Sequence, residues 1–434
     1  MADVKLVTYP RASLFVLLAS LTIAFGVWRW AVTVLAPANA ETVLAGKRPI
    51  GNNSDLYPRW LGAREVFLRG ADPYSSEITR EIQIGFYGRP LNPSDPSDPI
   101  AQESFVYPIY VVFLMAPTVS MPFRTVEEIV RWLLLGAIAL SVPLWMFAVG
   151  FRPHRLIVLS SMLLAGSSYP AVEEYFQQNL AAIVLLFLAA AAASAVHHRL
   201  ALSGFLLALS TSKPDTTGLI VLWFLLWALA KWKERGRLIW SFAGTLLVLE
   251  CASEAISPHW ISHFLAAVWK YPTYGTDPSV LGALFPRWLA LLATAALVLW
   301  FLMVCWKWRQ SPANSKCFGW AIAWAGVVTL TVIPKLAAYN QLLLIPVLLI
   351  LVGQMNGSAF LRRMLARAAF ACQGWQWLTA VLLATGSFVV PWDRLRTVAL
   401  IPLYTLLALP LLALLAVIAS TCRCPPSATR DLSR

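Results

Sequence analysis

Long apolar runs separated by short polar breaks dominate this chain, and many approach the 20 or so residues that a helix needs to cross a ~30 Å hydrocarbon core. The pattern predicts spans over 12–36, 128–149, 156–170, 178–196, 200–212, 216–230, 237–256, 286–306, 317–333, 338–353, 376–391 and 397–420, about twelve in all. The runs are continuous rather than alternating, which excludes a transmembrane β-barrel. The expected fold is an all-α polytopic membrane protein, with residues 1–434 forming a single integral membrane domain.

One sizeable polar interruption follows the first helix, over residues 38–127. The stretch from Glu41 to Glu103 holds nine of the 21 acidic residues. Within it, Pro58 to Arg69 reads as a short amphipathic helix lying in the membrane interface, with Trp60, Leu61, Phe67 and Leu68 set against Arg59, Arg64, Glu65 and Arg69. Asn92 to Pro99 is a turn-rich connector. Phe105 to Phe123 carries Pro108, Pro117 and Pro122, which break a simple helix; it reads as a dip into the membrane rather than a span. Ala38-Asn39-Ala40 has the form of a signal-peptidase site, but the apolar run before it is too long for a signal peptide and is read as a retained helix.

Composition supports this picture: 59% of residues are hydrophobic and 13% charged, where a soluble domain carries about a quarter charged residues. The net charge of +13 sits largely in short loops. With Phe105–Phe123 as a dip, Arg152, Arg199, the Lys231–Arg237 cluster, Lys307 and Arg362 share one face with both termini. The positive-inside rule makes that face cytoplasmic and the 38–127 loop extracytoplasmic. No basic stripe interleaved with aromatics stands in a soluble domain, so nucleic acid is not an expected partner. None of the six cysteines lies in the long loop, so no disulfide framework is implied there. Cys422 and Cys424 do not complete a zinc site, and His259 and His263 share i,i+4 spacing without the carboxylate of an HExxH motif. No metal or other cofactor is expected.

The candidate chemistry gathers in the loops of the extracytoplasmic face. Asp55 has two readings, as N-cap of the helix that follows or as a general base. Asp72-Pro73-Tyr74 follows Gly70 and has the form of a turn, yet both polar side chains are substrate-binding candidates. Lys213, before Pro214 at a helix end, either binds phosphate as a point charge or snorkels to the interface; Lys335 is a second of the same kind. Gln178 and Asn179 either bond sugar hydroxyls or cap and pack a helix start. Glu250 and Glu254 share one helical face. Transfer of a sugar from a lipid phosphate needs a carboxylate for the acceptor proton, positive charge for the departing phosphate and apolar grooves for lipid tails.

The order of these motifs is itself informative. After the first helix come Ser54-Asp55-Leu56-Tyr57, Gly70-Ala-Asp72-Pro-Tyr74, Phe105-Val-Tyr107-Pro108, Ala116-Pro117 with Met121-Pro122, Gln178-x-x-Ala-Ala, and Gly204-Phe-Leu-Leu-Ala-Leu-x-x-x-Lys213-Pro214. This series resembles glycosyltransferase family 87, within the GT-C superfamily. The resemblance is clearest from Asp55 to Pro214 and weak after about residue 290. It implies a GT-C-type bundle with interfacial helices in its first loop. It also implies inverting transfer of a hexose, usually mannose, from a polyprenyl-phosphate donor to a glycolipid or glycan on the extracytoplasmic side of a bacterial inner membrane, without a bound metal. Asp55 falls at the family's proposed base, and Lys213-Pro214 at its lysine-proline motif. Tyr57, Asp72, Tyr74, Tyr107, Gln178, Asn179 and Tyr339 are the candidate substrate contacts. Three departures stand out: Gln177-Gln178-Asn179-Leu180 replaces Gly-Gln-x-Asn, Ile109 replaces a second proline, and Pro334 to Asn340 contains no histidine. The alternative expectation is a transporter or flippase of a lipid-linked sugar.

Overall fold

A computed structural model describes residues 10–45, 54–92, 94–95, 98, 102–270, 279–333, 337–354 and 360–403, and among them every regular element is helical. Helix α1 (Pro10–Trp30) passes through a π turn (Ala31–Leu35) into α2 (Ala36–Ala45), so the first helix outruns its predicted end. Pro37 lacks the N–H that a continuous α-helix uses, and the wider π turn before it absorbs the missing bond.

In the polar loop, α3 (Leu56–Arg69) and α4 (Ser76–Tyr87) form a hairpin. Gly70 closes α3 with φ of 62°, a left-handed conformation that favours glycine. Ser75 opens α4 by accepting from the Ile78 N–H at 3.2 Å. Arg69 staples the pair, reaching Glu65 (2.9 Å), Glu77 (3.0 Å) and Glu81 (2.9 Å). The predicted amphipathic face is rotated. Trp60 and Leu61 are buried, but so are Arg59 and Glu65, while Phe67 and Leu68 are exposed. The cause is that α3 is enclosed by other elements rather than laid on a flat surface: Trp60 Nε1 donates to the Thr118 carbonyl at 3.2 Å, and Arg64 to that of Val119 at 2.9 Å. Those carbonyls belong to the turn after α5 (Val111–Met115). Five residues rise only ~8 Å, so Phe105–Phe123 does not cross a bilayer as a helix.

Past Pro122 begins α6 (Phe123–Ala148), and then α7 (Arg155–Gly166) and α8 (Tyr169–Gln177) meet at a 53° bend. The next helices are α9 (Ala181–Val196), α10 (Leu200–Ser210), α11 (Pro214–Leu229) and α12 (Trp232–Ile256). Between α10 and α12 the backbones touch: a methyl group at Gly204 would fall 2.1 Å from the Leu238 carbonyl oxygen. On the other side of α10, Ser203 donates to the Ala191 carbonyl of α9 at 2.9 Å. Small residues allow this approach, as in membrane helix pairs.

The chain continues as α13 (Trp260–Lys270), α14 (Val280–Leu284), α15 (Arg287–Trp308) and α16 (Lys316–Val332). A 3-10 segment (Ala338–Leu344), α17 (Ile345–Gln354), α18 (Phe360–Gly386) and α19 (Trp392–Leu395) follow. The core centres on α16, where every residue from Cys317 to Thr331 is buried. At the far end of α11, Arg235 is buried and donates to the carbonyls of Trp227 (2.7 Å), Arg309 (3.1 Å) and Ser311 (2.9 Å) while stacking on Trp227. One charge of the supposed orientation signal is thus a clamp on helix-end carbonyls.

Among the described residues, four helices are long and apolar enough to cross a membrane: 11–40, 123–148, 232–256 and 287–308, with the bent α7–α8 pair a fifth. On α12 and α15, Trp240, Leu247, Val248, Trp288, Leu291 and Leu299 are exposed, the pattern of a lipid-facing surface. Helices α9, α10, α11 and α16 are apolar but shorter, and they follow the predicted runs 178–196, 200–212, 216–230 and 317–333 to within about three residues. Helix α18 starts well before the predicted span at 376 and takes in Arg362, Arg363 and Arg367. The predicted span 397–420 lies outside the described residues beyond 403, as do Cys422 and Cys424.

Candidate active site

The starts of α3, α9 and α11 and the 3-10 segment converge on Asp55. Although Asp55 stands at the N-cap position of α3, its side chain makes no capping bond. That task falls to Ser54, whose hydroxyl oxygen accepts from the Leu56 N–H at 3.1 Å. The Asp55 carboxylate instead accepts from Asn179 Nδ2 at 2.8 Å and from the Tyr339 hydroxyl at 3.0 Å, both on Oδ2. No described residue donates to Oδ1. Asp55 is half-buried, so one oxygen is anchored and the other is left for a partner.

The backbone around it is equally fixed. The Asp55 N–H donates to the Gln177 carbonyl at 2.8 Å, and Arg59 donates to the Asp55 carbonyl at 2.6 Å while its guanidinium lies 4.1 Å from the Tyr107 ring centre. Arg59 is 2% exposed. Sequence reasoning placed it on the polar face and so missed it; its i,i+4 relation to Asp55 was the available signal.

Gln178 does not offer its amide to a ligand. It is fully buried, its oxygen accepts from Ser54 Oγ at 2.7 Å, and its nitrogen donates to the Glu127 carbonyl at 2.7 Å. Its φ of 53° is a left-handed conformation that costs a non-glycine residue roughly 1–2 kcal/mol. This strained linker turns the chain so that Asn179 faces Asp55. Beside it Glu174, also fully buried, accepts from the Ala182 N–H at 3.0 Å and so caps α9. Asn179 Oδ1 and Glu174 Oε2 are buried with no hydrogen-bond partner among the described residues, a state that native structures seldom leave unexplained.

Lys213 precedes α11 at the same end of the molecule. Its ammonium lies 5.5 Å from the Tyr339 ring centre and 3.3 Å from Asp215 Oδ2, with the side chain 12% exposed. Tyr110, absent from the predicted set, donates to the Thr211 carbonyl at 3.0 Å and thereby ties the start of α5 to the turn that carries Lys213. Lys335 lies outside the described residues.

The other candidates divide. Tyr57 is a packing residue: its ring meets Phe123 at 5.0 Å and its hydroxyl occupies the space over Gly85, 1.9 Å from where a Cβ would stand. Tyr107 stacks on Arg59 and accepts at its carbonyl from the Tyr74 hydroxyl at 2.5 Å. Burial, with Asp72 nearby, pushes the Tyr74 hydroxyl well above the usual tyrosine range, so it remains a neutral donor. Asp72 forms the expected turn, accepting from the Tyr74 N–H at 3.1 Å, and its other oxygen lies 3.0 Å from His263 Nδ1. Tyr74 and Asp72 therefore line a neighbouring cleft rather than the Asp55 cluster. Glu254 accepts from the His259 N–H at 2.8 Å and closes the end of α12.

The cluster holds a carboxylate with one open oxygen, an ammonium, a guanidinium and unpartnered amide and carboxyl oxygens. No family model, no curated protein and no solved structure matches this chain.

Proposed function

We propose that this chain is a membrane hexosyltransferase of the GT-C type, similar to glycosyltransferase family 87. It moves a hexose, mannose by that resemblance, from a polyprenyl-phosphate donor to a glycolipid or glycan acceptor. In this reading loop 38–127 faces the extracytoplasmic side of a bacterial inner membrane, within a bundle of about twelve membrane helices.

The observation that carries the proposal is the state of Asp55. A carboxylate that is excused from capping, anchored through Oδ2 by Asn179 and Tyr339 and open at Oδ1 suits a general base. An acceptor hydroxyl attacks the anomeric carbon, its proton passes to Oδ1, and the bond from that carbon to the phosphate oxygen breaks with its electron pair leaving on phosphate. Attack opposite the leaving group inverts the configuration. Lys213 supplies positive charge for the phosphate, and Arg59 fixes the backbone beneath the base.

A second reading, transport of a lipid-linked sugar, draws on the 53° break between α7 and α8, since discontinuous helices often mark transporter sites. Purified protein in lipid nanodiscs, given a synthetic polyprenyl-phosphate donor with labelled mannose, separates the two. Asp55→Asn is expected to reduce transfer by about 10²–10⁴-fold, the usual worth of general-base help. Equal turnover by the variant removes the base assignment. Labelled lipid crossing a liposome membrane with no covalent product favours transport.

A further inference from the structure

Behind the two arms that reach Asp55 lies a cavity of about 140 Å³, enclosed by α7, the start of α8, the 3-10 segment, α17 and α18. Both arms are rooted in its wall. Ser168 and Pro170 stand at the start of α8, whose other end leads through Gln178 to Asn179. Gln341 and Leu342 follow Tyr339 in the 3-10 segment. Asn179 and Tyr339 are the side chains that donate to the Asp55 carboxylate.

Much of the lining is apolar, including Leu164, Leu348, Leu349 and Val352. Three glutamines interrupt it: Gln341, Gln373 and Gln376, respectively 5%, 2% and 3% exposed. Gln376 Oε1 accepts from the Tyr169 N–H at 2.6 Å, so α18 caps α8. The Gln376 nitrogen donates to Gln373 Oε1 at 3.2 Å. These two bonds fix which end of each amide points where. Among the described residues, Gln373 Nε2, Gln341 Oε1 and Trp377 Nε1 are then left without a hydrogen-bond partner, which buried groups seldom are.

The chemistry of the lining selects an occupant. None of the described residues on it is charged, so its complement is neutral. A hydroxyl both accepts and donates, and it satisfies an open amide N–H and an open amide oxygen together. The volume lies below the ~300–1,000 Å³ of sites that enclose a whole ligand, so the cavity takes the end of a chain. Leu164, Leu348 and Val352 are half-buried, and Leu378 beside Trp377 is exposed, an apolar path for the remainder of that chain.

We infer that this cavity is a regulatory site for the hydroxyl end of a neutral alkyl alcohol, whose binding steadies the roots of α8 and the 3-10 segment. The site is separate from that of the polyprenyl-phosphate donor, because neither Lys213 nor Arg59 lines it and a phosphate would be buried there without a cation. Binding at the cavity does not depend on the glycosyl-transfer reading.

The probe is 1-octanol carrying a photoactivatable diazirine, applied to full-length protein in lipid nanodiscs, with labelled peptides located by mass spectrometry. Label is expected within 341–352 or 373–377. Unmodified 1-octanol is expected to displace it at least about tenfold more effectively than octane or octanoate, the scale of one net hydrogen bond. Gln341→Leu combined with Gln373→Leu is expected to erase the preference for octanol over octane. Ala165→Phe, which fills the cavity and leaves the glutamines in place, is expected to remove the label. Bound octanol is also expected to slow hydrogen exchange at the Asp55 amide, which donates to the Gln177 carbonyl at the far end of α8 at 2.8 Å, and to leave it unchanged in Ala165→Phe. Octane competing as well as octanol in the wild-type protein overturns the inference without recourse to any variant. So does undiminished labelling of Ala165→Phe, or tighter competition by a polyprenyl phosphate than by octanol, which marks part of the donor's groove. Unchanged exchange at the Asp55 amide overturns the regulatory link.

Discussion

Tyr339 donates its hydroxyl to Asp55 Oδ2 at 3.0 Å across 284 residues of chain. With Asn179 on the same oxygen, it fixes the plane of the carboxylate and determines which oxygen faces outward. If Asp55 acts as base, Tyr339→Phe is expected to slow transfer about tenfold, corresponding to ~1.4 kcal/mol, while thermal unfolding changes little. A rate equal to wild type in single-turnover assays removes Tyr339 from positioning.

Capping falls on Ser54 and the proposed base duty on its neighbour Asp55, so the two are separable experimentally. Ser54→Ala loses both the cap on Leu56 and the bond to Gln178, so it is expected to destabilise the protein by roughly 1 kcal/mol or somewhat more. Asp55→Ala spares the cap and is expected to abolish transfer with a smaller effect on stability. Chemical unfolding of both variants in the same detergent decides the matter; a larger destabilisation from Asp55→Ala contradicts the assignment.

Gly204→Ala places a methyl 2.1 Å from the Leu238 carbonyl oxygen, and backbone cannot swing aside as a side chain does. Forced separation of α10 from α12 is expected to cost about 1–3 kcal/mol. Because α10 leads into the turn bearing Lys213, donor affinity should weaken as well. Measured stability within a few tenths of a kcal/mol of wild type would show that the two helices part freely.

The contact of Asp98 with Arg89 and the Asn92 N–H carries a pH signature. The Arg89 side chain, then the Asn92 N–H, holds the Asp98 carboxyl below its ordinary value of 3.8. A depressed folded value means that the stabilisation from these contacts is fully present above that ordinary value and is lost as pH falls through the lower folded one. Protection of the Asn92 amide from hydrogen exchange, corrected for intrinsic rates, is therefore expected to hold from pH 8 to pH 5 and fail only below about 4. Asp98→Asn is expected to weaken it throughout. A midpoint at or above pH 5 rules out this pair as the cause.

The sequence made Asp55, Asn179, Lys213 and Tyr339 visible as residue types at helix starts, because chemistry and turns both gather where helices begin. It did not make their meeting visible: Asn179 and Tyr339 reach Asp55 only through tertiary packing. Gln178 reads as a sugar ligand by type, yet its neighbours in space consume both ends of its amide. Arg59 reads as a solvated charge by helical periodicity, yet enclosure of α3 buries it against Tyr107. Helix existence followed from hydrophobic runs, including the breaks between 178–196, 200–212 and 216–230, whereas α18 begins well before the predicted 376 because its first turns carry arginines that interrupt the apolar run.

The bond from Tyr339 to Asp55 also sets a schedule. A chain emerging from the ribosome exposes Asp55 early, gains Asn179 after another 124 residues and acquires Tyr339 only once most of the protein has been made. At synthesis rates of about 5–20 residues per second, the carboxylate spends many seconds beside the membrane before its geometry is complete. If Asp55 is the base, a half-made chain carries that group without the means to aim it, and a truncation that removes the 3-10 segment is expected to leave a membrane protein without transfer activity.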